Sequence, residues 1–196
     1  MKKWLTILLT VLCVCKVQAE VADSVLFDAY LREDMSVWKK YMDTRSPLST
    51  NFSPLLYEYG YCGYMVDRDK THALPYVRHF KAQISNLRSQ LPAGHYEMYM
   101  SAVLVYELQL HESVHPFKAM SLAKEATRLA PKDPLVLSYY ATCLFYAPKP
   151  FGSKKEALMW FERAKACFKG DIYRYCWVRE ANEMYIRQCH DKLKKQ

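Results

Sequence analysis

The sequence predicts an all-α, single-domain stack of helical hairpins, and three observations lead to this prediction. Chain breaks recur at a constant interval, since Pro92, Pro131 and Gly170 are each 39 residues apart. Between the breaks, apolar and small residues recur at the spacing of a helix face, as in the segment 119–126. No stretch shows the alternating pattern of a β-strand. A fixed period near 40 residues in a helical chain indicates repeated two-helix units.

The first elements are an N-terminal helix and one hairpin. The helix is predicted over 23–44, where large apolar residues fall largely on one side. The first hairpin unit, 53–92, begins with Ser53 as a helix cap and Pro54 at the first helical position. Gly60 lies inside its first helix, where glycine costs about 1 kcal/mol relative to alanine. We therefore expect the backbone of another helix to pack closely there.

Two further units and a capping helix complete the chain. The units are predicted over 95–131 and 134–170, and a polar helix over 171–194 closes the stack. In the loop of the third unit we expect Phe151 to fill the space between helices and Ser153 to cap the helix that follows. The prediction is then a domain over 20–196 with about eight helices.

The third unit carries two helix patterns that identify a repeat. Its first helix reads large-x2-large-small-x2-large, at Leu137, Tyr140, Ala141 and Leu144. Its second helix places residues in a small-large-small frame, at Ala157, Phe161 and Ala164. This pair of patterns resembles the tetratricopeptide repeat, although the period here exceeds the usual length of about 34 residues. The loop 147–157 is similar to the Pro-x-Phe-Gly-Gly loop of bacterial envelope members.

The resemblance implies a right-handed α-α superhelix whose first helices line a concave groove that binds a protein or peptide segment. Helix phase suggests eight groove residues, which are Tyr96, Tyr99, Val103, Tyr106, Leu135, Ser138, Thr142 and Phe145. Tyrosine suits a recognition surface because it offers a large amphipathic contact area at low entropic cost. The alternative is that these tyrosines pack between helices and keep their hydroxyls at the rim.

The first 19 residues predict export. Lys2 and Lys3 precede a short apolar run, and a small-x-small site ends at Ala19. These features are typical of a cleaved signal peptide over 1–19, with a membrane anchor as the alternative. We expect a periplasmic or secreted protein of a bacterial envelope, without a stable membrane span after cleavage.

The charge of the chain argues against a nucleic-acid partner. The chain has 28 basic and 20 acidic residues, and loss of residues 1–19 would reduce the net charge from +8 to +5. The basic residues are scattered rather than clustered. The dense run 192–195 is interpreted as a frayed, solvated tail, with a docking patch as the alternative.

Five cysteines follow residue 19, an odd number that leaves at least one thiol free. Cys167 and Cys176 flank a predicted tight turn and could form a disulfide if their Cα atoms lie within about 7 Å. The simpler interpretation is that all five are buried free thiols, which behave as small apolar groups.

The segment His111-Glu112-Ser113-Val114-His115 matches the H-E-x-x-H signature of zinc metalloproteases. That chemistry needs both histidines one turn apart on a continuous helix, with the glutamate as general base. Pro116 follows directly and disfavours a helical His115. We interpret the match as coincidence on a surface turn and expect no metal or other cofactor.

The sequence thus predicts an exported, non-enzymatic interaction module that binds a protein or peptide. Two alternatives stay open. One is a zinc-dependent hydrolase that uses His111, Glu112 and His115. The other, implied by resemblance alone, is an accessory subunit of a periplasmic solute-transport system.

Overall fold

A computed structural model describes residues 22–44, 51–111 and 116–194. All regular structure in these ranges is helical, which confirms the all-α prediction. The α-helices are α1 (22–31), α2 (Met35–Thr44), α3 (Pro54–Arg68), α4 (Lys70–Asn86), α5 (His95–Gln109), α6 (Pro116–Leu129), α7 (Pro134–Tyr146), α8 (Lys154–Cys167) and α9 (Trp177–Lys194). Two short 3-10 helices, Arg88–Gln90 and Asp171–Tyr173, lie in the connections.

The helices pack in consecutive pairs. The three hairpins are α3 with α4, α5 with α6 and α7 with α8, and each hairpin also contacts the next one. The first helices α3, α5 and α7 lie side by side, and α9 packs against α7 and α8. Within the described ranges, no helix is both long and apolar enough to cross a membrane. The right-handed superhelix stays a prediction.

Local sequence signals start each hairpin. The Ser53 hydroxyl accepts a hydrogen bond from the Leu55 amide at 3.3 Å, and Pro54 occupies the first turn of α3. The Ser153 hydroxyl accepts from the Glu156 amide at 3.4 Å, so Ser153 caps α8 as the sequence predicts. These side chains satisfy amide groups that have no partner within the helix.

Small residues lie where the helices approach each other most closely. The alanines of both hairpin helices are almost completely buried, at Ala102, Ala119, Ala123, Ala126, Ala141, Ala157 and Ala164. A larger side chain at these positions would push the helix axes apart. The small-residue pattern of the sequence is therefore a packing pattern.

The predicted N-terminal helix over 23–44 is wrong in one respect, because it is broken into α1 and α2. Glu33 adopts a left-handed conformation with φ of 56°. The Asp34 carboxylate then accepts hydrogen bonds from the amide and hydroxyl of Ser36, at 3.3 and 2.5 Å. A residue with positive φ cannot continue a right-handed helix, and Asp34 provides the cap for a new one.

The C-terminal helix also differs from its prediction over 171–194. Residues Asp171–Tyr173 form a 3-10 turn, and α9 begins only at Trp177. Gly170, which has a positive φ of 90°, lies directly before this 3-10 turn. The consequence is that Trp177 stands at the first turn of α9, where its side chain reaches the N-terminal half of the molecule.

A partly buried hydrogen bond between a histidine and an aspartate connects the starts of α5 and α7. His95 Nε2 lies 2.9 Å from Asp133 Oδ2, and the His95 side chain is largely buried. The other Asp133 oxygen accepts from the amides of Leu135 and Val136, at 2.9 and 3.2 Å. Burial raises the pKa of Asp133, but the His95 interaction and the two amides outweigh it, so the net pKa lies below its ordinary value.

We expect Asp133→Ala to lower the free energy of unfolding by about 2 kcal/mol at pH 7, because a helix cap and a charge-assisted hydrogen bond are lost together. Asp133→Asn keeps the cap and should cost less. Because the folded-state pKa is depressed, the charge contributes above the unfolded-state pKa of about 4 and is lost as pH falls through the folded value. Urea unfolding from neutral to acidic pH should show the wild type and Asp133→Asn converging. Curves that stay parallel would contradict a role for the charge.

Candidate functional site

Aromatic side chains of the N-terminal helices and of α9 pack together in the structure. Trp177 at the start of α9 contacts rings from three N-terminal helices. Its centroid lies 5.7 Å from Tyr30 of α1, 5.7 Å from Trp38 of α2 and 5.5 Å from Tyr59 of α3. Phe27 and Tyr175 extend the contact at 6.2 Å. The first and last helices of the described ranges therefore meet, and we call this aromatic contact the closure.

Four of the eight predicted groove residues are buried and do not line the cavity described below. Tyr99, Val103, Tyr106 and Phe145 are all buried. The Tyr106 hydroxyl donates to the Tyr59 carbonyl oxygen at 3.0 Å, and burial raises the pKa of Tyr106 well above its ordinary value. These four positions do not form an open groove, and their burial matches the alternative that the side chains pack between helices. Tyr99 packs against Tyr59 of α3 and Phe80 of α4, and Phe145 packs against Tyr185 of α9.

Three others, Leu135, Ser138 and Thr142, do line a concave space. This space is a cavity of about 140 Å³ at the closure, which we call the closure cavity. Ser138 is only 3% exposed. Trp177, which also lines this space, has a buried indole Nε1 without a hydrogen-bond partner in the described part of the chain. The Thr142 hydroxyl donates to the Ser138 carbonyl oxygen at 2.9 Å. The eighth residue, Tyr96, lies elsewhere, under the Arg88 guanidinium at 4.4 Å.

Sequence reasoning missed the aromatic wall of this cavity. Tyr30, Tyr59, Trp177 and Tyr185 contribute to it from α1, α3 and α9. The available signal was Gly60, since a glycine inside a helix indicates a close approach. The approach is made by side chains and not by a helix backbone as expected. A Cβ atom on Gly60 would lie 2.6 Å from Trp38 Cζ3 and 2.9 Å from Trp177 Cζ2.

A second site lies at the end of the stack where the helices of each hairpin connect. Phe117 at the start of α6 and Phe151 before α8 are 64% and 52% exposed, and their rings meet edge to face at 5.1 Å. Leu108 and Tyr146, at the ends of α5 and α7, are exposed at the same end. We call these four residues the turn-end patch.

The expectation that Phe151 fills space between helices is therefore wrong. The amides of Phe151 and Gly152 both hydrogen-bond to the Pro148 carbonyl oxygen, at 2.9 and 3.1 Å, which makes the loop tight. Gly152 rests against the carbonyl oxygens of Leu144 and Ala147, leaving no room for a Cβ atom. This packing turns the Phe151 side chain outward.

Several lysines lie at the same end of the stack as the turn-end patch. Lys154 and Lys192 both place their ammonium groups over the Phe145 ring, at 3.8 and 4.7 Å from its centroid. Burial and the nearby Lys192 lower the pKa of Lys154. The run 192–195 was interpreted as a frayed tail, but α9 continues to Lys194 and Lys192 packs on an aromatic ring. Lys195 lies outside the described residues.

The zinc motif falls largely outside the described residues, which exclude 112–115 and therefore Glu112 and His115. The preceding helix α5 ends at Gln109, and His111 is exposed with φ of 61°. A left-handed residue at this position interrupts the continuous helix that the metalloprotease arrangement requires. Within the described residues, no cluster of three metal-ligating side chains is found.

The possible Cys167–Cys176 disulfide is not formed, and all five described cysteines are free thiols, as the simpler interpretation expected. The connection between α8 and α9 contains an extended piece and a 3-10 turn, so it is not the tight turn on which the pairing depended. Cys176 is buried in the core, while Cys167 is half-buried at the end of α8. Burial raises the pKa of Cys176 to about 12 and that of Cys143 to about 11. Such thiols are chemically inert at neutral pH.

The geometry thus offers two candidate sites, a cavity at the closure and an exposed aromatic patch with lysines at the turn end. Comparison of the chain with protein-family models, with characterised proteins and with solved structures finds no significant match.

Proposed function

We propose that this protein is an exported, non-enzymatic interaction module, similar to tetratricopeptide-repeat proteins, that binds an acidic segment of another protein at the turn-end patch. The observation that carries the proposal is the exposed Phe117–Phe151 ring pair. The site is not placed at the predicted groove, because Tyr99, Val103, Tyr106 and Phe145 are buried.

The turn-end patch has the character of an interface. Two phenylalanine rings stack on each other while more than half of each side chain faces solvent. Clustered exposed rings bordered by charged residues mark interaction surfaces more often than isolated apolar residues do. Aromatic anchors also contribute a large share of binding energy in protein interfaces. A partner that covers both rings would remove this apolar area from water.

The positive charge near the patch indicates that the partner is acidic. Five lysines belong to the same turns and helix ends, namely Lys118, Lys149, Lys154, Lys155 and Lys192. None of them forms an ion pair with a carboxylate in the described ranges. The ammonium groups of Lys154 and Lys192 lie over the same Phe145 ring, at 3.8 and 4.7 Å from its centroid, so two positive charges are close together. A segment that combines carboxylates with an apolar anchor complements both features.

We expect selection from a displayed library of short random peptides to enrich sequences rich in Asp, Glu and aromatic residues. Fluorescence polarisation with a synthesised copy of the most enriched peptide should give an affinity that weakens as salt is raised. The double variant Phe117→Ser with Phe151→Ser should bind about tenfold more weakly, a loss of about 1.4 kcal/mol. Both side chains are exposed, so circular dichroism should be unchanged.

Matched controls separate the patch from general surface chemistry. Met159→Ser with Ile172→Ser removes two other exposed apolar side chains and should leave binding intact. Lys154→Gln with Lys192→Gln should reduce the salt dependence, whereas Lys132→Gln with Lys169→Gln, at the opposite end, should not. Peptide binding that is indifferent to the patch variants, or binding only to anionic phospholipid vesicles, would refute the proposal.

A further inference from the structure

We propose that the closure cavity is a binding site for a small uncharged ring compound that carries one hydroxyl or carbonyl group. This site is separate from the turn-end patch and does not depend on the proposed function.

The size of the cavity sets the size of the ligand. Its volume of about 140 Å³ is comparable to engineered apolar cavities of about 150 Å³, which accept benzene. A single six-membered ring with one substituent therefore fits, and a peptide does not. The rings of Tyr30, Tyr59 and Trp177 are only half-buried, so the cavity wall includes side chains that reach solvent.

The lining determines the polarity of the ligand. Aromatic, aliphatic and thioether groups form most of the wall, and no charged side chain lines it. The nearby Glu180, which raises the pKa of Tyr30 together with burial, is engaged by Arg187 at 3.7 Å. An ionised ligand would therefore lose its hydration without gaining a counter-charge. The chemistry favours a neutral molecule.

Trp177 provides the specific contact. Its indole Nε1–H is buried and has no hydrogen-bond partner in the described ranges, and the residue lines the cavity. A buried donor of this kind is normally hydrogen-bonded, and a ligand oxygen would accept the missing hydrogen bond. A mostly apolar wall with a few polar groups is the usual composition of a small-molecule site.

The experiment uses phenol, toluene, benzoate and tetramethylammonium as probes, with binding followed by heteronuclear NMR and tryptophan fluorescence. Phenol should bind one site with a Kd of about 0.1–1 mM, as expected for a ligand of this size. Toluene should bind more weakly, and the two ions at least tenfold more weakly again. The shifted resonances should belong to residues around Ser138 and Trp177.

Two variants decide the outcome. Ala181→Leu places additional carbons in the cavity and should abolish phenol binding without loss of thermal stability. Trp177→Phe removes the indole N–H and should remove the preference for phenol over toluene while toluene binding persists. Wild-type protein that binds none of the probes, or phenol binding that is unaffected by both variants, would overturn the assignment. Binding of tetramethylammonium that is stronger than binding of phenol would refute the assignment of a neutral ligand.

The turn-end variant Phe117→Ser with Phe151→Ser should bind phenol normally, which keeps the two proposals distinguishable.

Discussion

Trp177→Ala should lower the free energy of unfolding by about 3 kcal/mol, near the lower end of the range for truncating a large aromatic side chain. The indole lies within 5.7 Å of the rings of Tyr30, Trp38 and Tyr59, which belong to three helices far away in sequence. Its removal would deprive all three rings of a partner and enlarge the closure cavity. Urea unfolding followed by circular dichroism measures the loss.

Trp160→Ala is the matched control for this substitution. Trp160 is also half-buried, but it packs on the outer side of the stack against Tyr140, at 5.0 Å, and Arg163, at 4.8 Å. We expect it to cost about 1 kcal/mol, because fewer contacts are lost. Equal losses for the two tryptophans would show that the closure contributes no more than an ordinary surface indole.

Gly60→Ala should lower the free energy of unfolding by about 2–4 kcal/mol, a typical range for overpacking a tight core. An alanine normally stabilises a helix relative to glycine, by about 1 kcal/mol. Here the added Cβ atom would lie 2.6 Å from Trp38 Cζ3 and 2.9 Å from Trp177 Cζ2. Trp38 is completely buried, and its indole N–H donates to the Leu26 carbonyl oxygen at 2.7 Å. Its ring therefore has little freedom to move.

Gly63→Ala, three residues further along α3, serves as the control. Its Cβ atom would meet only the Tyr106 hydroxyl at 3.0 Å, so we expect a change of less than about 1 kcal/mol. In the Trp177→Ala background, part of the Gly60→Ala cost should disappear because one of the two clashing rings is gone. Strictly additive losses in this double-mutant cycle would contradict the geometry of the closure.

Much of the fold could be predicted from the sequence because it depends on local rules. Ser53 with Pro54 marks a helix start, and the buried alanines at Ala123 and Ala157 mark close helix contacts. Such signals act within one or two turns of a helix and can be read along the chain. The break at Glu33 is also local, but a positive φ at a glutamate carries no signal in the sequence.

The candidate sites could be predicted only in part. Helix phase placed Leu135, Ser138 and Thr142 on the concave side, where they line the closure cavity. The same phase placed Tyr99 and Phe145 there, although both are buried. Phase fixes the direction of a side chain from its own helix. It contains no information on which other helix lies opposite.

The sequence by itself determined the helical period, the starts of the hairpin helices and the small-residue contacts, since each follows from residues close together along the chain. Only the tertiary structure decided that the first and last elements meet at Trp177, and that Phe117 and Phe151 face solvent. The physical reason is that a stack of hairpins closes through the sum of many small packing angles. No single residue encodes that sum, so the space left at the closure and the surface left at the turn end emerge only when the whole chain is assembled.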